Sequence, residues 1–141
     1  MPSVSEDAAS SRGRIAALAG AGSGAVVDVI YVRAIFDQHT GLDSRVSFVA
    51  GFIALMALLA LTAALRRDSA SLAPRLLLLG ASSGFLAIGV VGLWSIGFAL
   101  IAAGLVTFSG TSPTSLPRVA ALAAILSPII ALVAGLALTA Y

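Results

Sequence analysis

An uncharged stretch of the sequence limits the possible folds more than any other feature. Residues 76–117 contain no Asp, Glu, Lys, Arg or His, and residues 46–65 contain none either. An apolar run of about 20 residues matches the ~30 Å hydrocarbon thickness of a bilayer, because an α-helix rises about 1.5 Å per residue. The sequence therefore predicts helices that cross a membrane.

The composition agrees with this interpretation and excludes the main alternatives. Charged residues make up only 10% of the 141 residues, whereas about 25% is usual in soluble domains. Residues 54–61 do not alternate as a barrel strand does, and only intrahelical hydrogen bonds satisfy so apolar a backbone in lipid. We predict an all-α, multi-pass transmembrane helix bundle. The chain has no cysteine, which excludes disulfides and thiol chemistry.

Polar residues divide the chain into a short tail and one helical domain. Residues 1–14 are polar and rich in serine, and we expect them to form a disordered cytoplasmic tail. Residues 15–141 are expected to form a single transmembrane domain. Its predicted spans are about 15–36, 46–65, 76–94, 95–111 and 119–141.

The third and fourth of these spans depend on an argument about length. One helix over residues 76–109 would be about 50 Å long and would need more than the usual tilt of up to about 40°. Residues 92–97, Gly-Leu-Trp-Ser-Ile-Gly, suit a turn at the headgroup zone. We favour a hairpin and five spans; four spans with one long or kinked third segment is the alternative. In the last span, Pro128 predicts a kink, because it lacks an amide donor and crowds the carbonyl group of Ala124.

The arginines predict the orientation of the chain. All eight basic residues are arginines, and they lie near the ends of the predicted segments. With a cytoplasmic N-terminus, five spans leave only Arg33 and Arg45 outside, which agrees with the positive-inside rule. The arginines expected inside are Arg12, Arg14, Arg66, Arg67, Arg75 and Arg118. This basic set, with abundant Ala, Gly and Leu, is typical of a GC-rich bacterial genome, so we expect the plasma (inner) membrane.

Asp28 is the candidate functional residue, because an ionisable group inside a predicted span is costly and commonly functional. If the true span is shorter, Asp28 instead lies near the outer interface and bonds to Tyr31 or a serine. Gly20, Gly24, Asp28 and Tyr31 share one helical face, and the two glycines allow another helix to approach closely. A matching small-residue surface, with serines that are potential partners for the carboxylate, is expected at Gly80, Ser82, Ser83 and Gly84.

Two classes of function follow from these residues. An enzyme is not expected, because the spans lack converging polar groups. We expect no cofactor and no metal, since Asp37, His39 and Asp43 share a loop without a recognised metal-site spacing. Nor do we expect nucleic acid as a partner. The favoured function is an accessory or assembly subunit that packs against other membrane helices, as a homo-oligomer or in a larger complex. The alternative is a small oligomeric proton- or cation-coupled transporter or channel that uses Asp28.

Overall fold

The computed structural model of the chain describes residues 4–37, 43–66, 72–92, 97–111 and 116–139. Every regular element in these ranges is an α-helix, so the all-α prediction is confirmed. Each of the five predicted apolar segments overlaps one helix, and the parts predicted at residues 93–96 and 140–141 lie outside the described residues. The helices are α1 (Val4–Asp37), α2 (Ser44–Leu65), α3 (Ala73–Val91), α4 (Gly97–Ser109) and α5 (Arg118–Leu138).

The first helix differs from the prediction at its start. Whereas we expected disorder up to Arg14, α1 is already helical from Val4. Once the apolar segment from Ile15 onwards has formed a helix, the costly nucleus is in place, and each further residue adds one hydrogen bond. The helix therefore extends backwards through a polar segment that would not form one alone.

The region of residues 76–109 contains two helices. The first, α3, ends at Val91, and the amide of Gly92 donates to the carbonyl oxygen of Ile88 at 2.8 Å. The second, α4, begins at Gly97, whose amide donates to the carbonyl oxygen of Gly92 at 2.8 Å. The two helices pack side by side. One continuous helix over this region is therefore excluded.

The first four helices alternate in direction. One apolar cluster joins Ala17 near the start of the apolar part of α1, Ala64 at the end of α2 and Leu78 near the start of α3. A second cluster joins Val27 further along α1 with Ile88 near the end of α3. Residues from the first half of α2 and the start of α4, among them Phe52 and Leu100, complete the second cluster. The chain therefore runs up and down through the bundle.

The fifth helix continues the alternation. The carbonyl oxygen of Ala124, in the first half of α5, lies against Gly80 of α3, and Gly135, near the end of α5, lies against Phe48 of α2. The alternation collects most of the described arginines at one end, which we call the basic end. It carries Arg12, Arg14, Arg66, Arg75 and Arg118, whereas Arg33 and Arg45 lie at the opposite end.

The centre of the bundle is α3, which packs against α2, α4 and α5, while α1 packs against α2 and α4. Phe85 of α3 is fully buried, and α5 is peripheral. Four helices in the described ranges are long and apolar enough to cross a membrane: α1, α2, α3 and α5. With 13 residues, α4 is about 20 Å long and falls short of the hydrocarbon thickness.

Candidate functional site

Asp28 lies at the edge of the core, one residue after the buried Val27. Its Oδ1 atom is buried and has no hydrogen-bond partner within the described ranges. Tyr31, three residues further along α1, is half-buried. A buried carboxylate oxygen without a partner is unfavourable, so this position has unmet capacity for a proton, a water molecule or a cation.

The serines proposed as partners for the carboxylate are engaged elsewhere. Ser82 Oγ donates to the carbonyl oxygen of Leu79 at 2.9 Å, and Ser83 Oγ donates to that of Gly80 at 2.9 Å. Both acceptors belong to α3 itself. A serine in an apolar helix satisfies its hydroxyl group in this way, because a carbonyl three or four residues earlier is always within reach. The prediction that Ser82 and Ser83 serve Asp28 is therefore wrong for the described structure.

The small-residue surfaces of α1 and α3, which were predicted to match, do not pack against each other. A methyl group added at Gly20 would overlap Thr107 of α4, and one added at Gly24 would overlap the ring of Phe85 of α3. The glycines of α3 face the other side of the bundle. Gly80 lies against α5, and Gly84 against both α2 and α5. All four glycines therefore serve contacts between helices, but the predicted direct match of the two surfaces does not occur.

Thr107 is a buried polar residue that the sequence did not single out. Its side chain is fully buried, and Oγ1 donates to the carbonyl oxygen of Ala103 at 2.7 Å. The hydroxyl group is thus satisfied within α4, and its packing against Gly20 joins α1 to α4. A threonine among apolar residues is a common pattern, so the sequence carried no signal for this role.

Arg45 has a structural role beyond a topology signal. Its Nε atom donates to the carbonyl oxygen of Thr139 at 3.1 Å, which links the start of α2 to the end of α5. The last carbonyl groups of a helix lack intrahelical donors and carry partial negative charge. Arg45 therefore caps α5 from another helix. The contact between Arg45 and Thr139 is not evident in the sequence, because the two residues lie 94 positions apart.

Pro128 lies inside α5, which continues unbroken from Arg118 to Leu138. Its buried ring packs towards Gly84 of α3. The carbonyl oxygen of Ala124, which loses its usual amide partner because of Pro128, points at Gly80. The predicted kink stays a prediction, but the glycine gives this carbonyl group room.

The outward side of α5, which we call the outer face of α5, is apolar and uncovered in the described part of the chain. Only Pro128 and Leu132 of this helix are buried. Small side chains recur there every fourth residue and are flanked by larger apolar ones. The outer face of α5 comprises Ala123, Leu126, Ile130, Ala131 and Val133, with Ser127 at its edge towards α3.

The fold thus presents two features with functional potential: the unpartnered Oδ1 atom of Asp28 and the outer face of α5. The first suits a proton or a cation, and the second suits another helix. Comparison of the chain with protein-family models, with curated proteins and with solved structures finds no match.

Proposed function

We propose that this protein is an accessory or assembly subunit of a membrane complex, and that the outer face of α5 docks against a helix of the partner. In this proposal the bundle is embedded in the plasma membrane with the basic end in the cytoplasm. Four apolar helices of sufficient length support the membrane location. The collection of five described arginines at one end supports the orientation.

The observation that carries this proposal is the exposure of α5. A helix of 21 residues that buries only two of them contributes little to the core of its own chain. Burial alone does not separate a lipid-facing helix from a partner-facing one, because lipid tails are as apolar as leucine. The small residues on the outer face do favour a helix, since Ala123, Ser127 and Ala131 are exposed and four positions apart, a spacing that lets another backbone approach.

The glycines of α1 and α3 are already packed against other helices of the same chain, which supports a docking role for α5. Gly20, Gly24, Gly80 and Gly84 already accommodate neighbouring elements of the same chain. They are therefore not free to receive a partner helix. The spaced small residues of α5 are exposed in the described structure, which makes them the best candidates for contacts with a second protein.

The test is Ala131→Leu, which replaces one of the exposed small side chains with a bulky apolar one. The larger side chain holds the partner helix away, and we expect co-purification in mild detergent to fall about tenfold. Ala102→Leu on α4 is the matched control, because Ala102 is also an exposed alanine in an apolar helix. Equal recovery of the partner with both variants, or a wild-type protein that purifies as a monomer alone, would contradict the proposal.

A second candidate function is proton- or cation-coupled transport, which the unpartnered Oδ1 atom of Asp28 favours. In this case Asp28→Asn abolishes flux in proteoliposomes while the protein stays folded and oligomeric. Asp43→Asn is the control, since Asp43 is exposed and caps α2, a task that asparagine also performs. Wild-type flux in the Asp28 variant removes the carboxylate from the mechanism, and an accessory subunit shows no flux in any form.

A further inference from the structure

A groove lies between α2, α3 and α5 towards the basic end of the bundle. The two outer helices both pack on α3 but barely touch each other, so they leave a trough over it. The groove has a volume of about 400 Å³ and is open along one side to the surroundings. Its walls are almost entirely apolar, with Leu59, Leu76, Leu77 and Ala124 among the lining residues. A volume of this size falls in the range of about 300 to 1,000 Å³ that is typical of small-molecule sites.

Among the described residues, one charged side chain, that of Arg66, lines this apolar groove. Arg66, directly after the end of α2, is exposed, and within the described ranges no partner is found for its guanidinium group. Its backbone amide donates to the carbonyl oxygen of Thr62. From Ala73 at the basic end, the groove extends along α3 to Gly80, a distance of about 10 Å at the usual helical rise. The groove is therefore amphipathic, with the guanidinium group of Arg66 at its outer end and apolar side chains along the rest.

We propose that this groove binds an anionic phospholipid, with an acyl chain in the trough and the phosphate group on Arg66. This inference rests on the membrane location proposed above. A guanidinium group is suited to phosphate, because it offers a planar fork of donors and keeps its charge at all physiological pH values. A basic pocket between helices at the cytoplasmic surface is a recurrent form of anionic-lipid site.

The inner end of the groove is closed where α3 and α5 come together. Gly80 and Ala124 stand opposite each other on α3 and α5, and a methyl group added at Gly80 would lie 3.4 Å from the carbonyl oxygen of Ala124. Between Ala73 and Gly80 the floor of the groove carries the apolar side chains of Leu76 and Leu77, along which an acyl chain can lie. A lipid there would cover apolar surface that α2 and α5 leave open.

The experiment measures lipid binding to the whole protein by native mass spectrometry. The protein is purified in mild detergent and incubated with phosphatidylglycerol or phosphatidylcholine of identical acyl chains. We expect stronger retention of phosphatidylglycerol, and Arg66→Gln should weaken it about fivefold, as one basic residue contributes about that much to anionic-lipid binding. Arg118→Gln is the matched control, because Arg118 is an exposed arginine at the same end but does not line the groove.

A second variant tests the trough independently of the charge. Ala73→Trp places a large ring at the basic end of the groove, and because Ala73 is exposed, the ring does not enter the core. We expect it to reduce retention of both lipids, with an unchanged elution volume and helical signal. Equal binding of both lipids to the wild type, or equal loss from Arg66→Gln and Arg118→Gln, would overturn the proposal. Release of the protein from membranes by alkaline carbonate would instead refute the membrane location itself.

Discussion

Replacing Gly97 with alanine is expected to force α3 and α4 apart. A methyl group at Gly97 would lie 2.6 Å from the carbonyl oxygen of Gly92 and closer still to that of Gly89. Both atoms belong to the backbone, so no change of rotamer relieves the overlap. Overpacking of this kind costs about 1 to 3 kcal/mol, and the better helix propensity of alanine returns at most about 1 kcal/mol. We expect Gly97→Ala to lower the free energy of unfolding by about 1 to 2 kcal/mol.

The matched controls are Gly22→Ala and Gly51→Ala. A methyl group at either position meets no heavy atom within 4 Å in the described structure. Only the propensity gain then applies, so we expect stability to be unchanged or raised by up to about 1 kcal/mol. The assay is reversible denaturant unfolding in detergent, followed by far-ultraviolet circular dichroism. If Gly97→Ala matched the two controls, the close approach of the α3 and α4 backbones would be refuted.

Three further predictions test the core, a cap and the topology. Phe85→Ala removes a side chain that is 0% exposed and should lower the free energy of unfolding by about 3 to 5 kcal/mol in the same assay. The control is Phe98→Ala, at a position 72% exposed, which should change the free energy of unfolding by less than about 0.5 kcal/mol. Arg45→Met removes the donor to the Thr139 carbonyl group, so amide exchange at the end of α5 should accelerate by about tenfold; unchanged exchange would count against the cap. If all five helices cross the membrane, the C-terminus lies outside the cytoplasm. A phosphatase that is active only in the periplasm, fused after Tyr141, should then be active, and a fluorescent protein that matures only in the cytoplasm should show no fluorescence. The reverse result would exclude five crossings.

The sequence alone was sufficient to place the helices. Uncharged runs, arginines and turn residues divide the chain into segments that match α2 to α5 closely, with α3 ending at Val91 and α4 beginning at Gly97. This succeeds because a helix satisfies its backbone hydrogen bonds within its own segment, so its existence depends on local residues. The length of one helix over residues 76–109 also depends only on local geometry, the rise per residue, so the sequence is sufficient to disfavour it. Helix α1 departs from it only at its polar start.

Only the tertiary structure decided which helical faces meet. Gly20 packs on Thr107, Gly84 packs on Met56, and Arg45 caps α5, none of which follows from spacing along the chain. In a soluble protein an apolar stripe marks the buried face of a helix, but α2, α3 and α5 carry charged residues only near their starts, so no polar side marks their exposed face. Where lipid and protein are equally apolar, shape complementarity selects the contacts, and shape emerges only when all the helices are assembled.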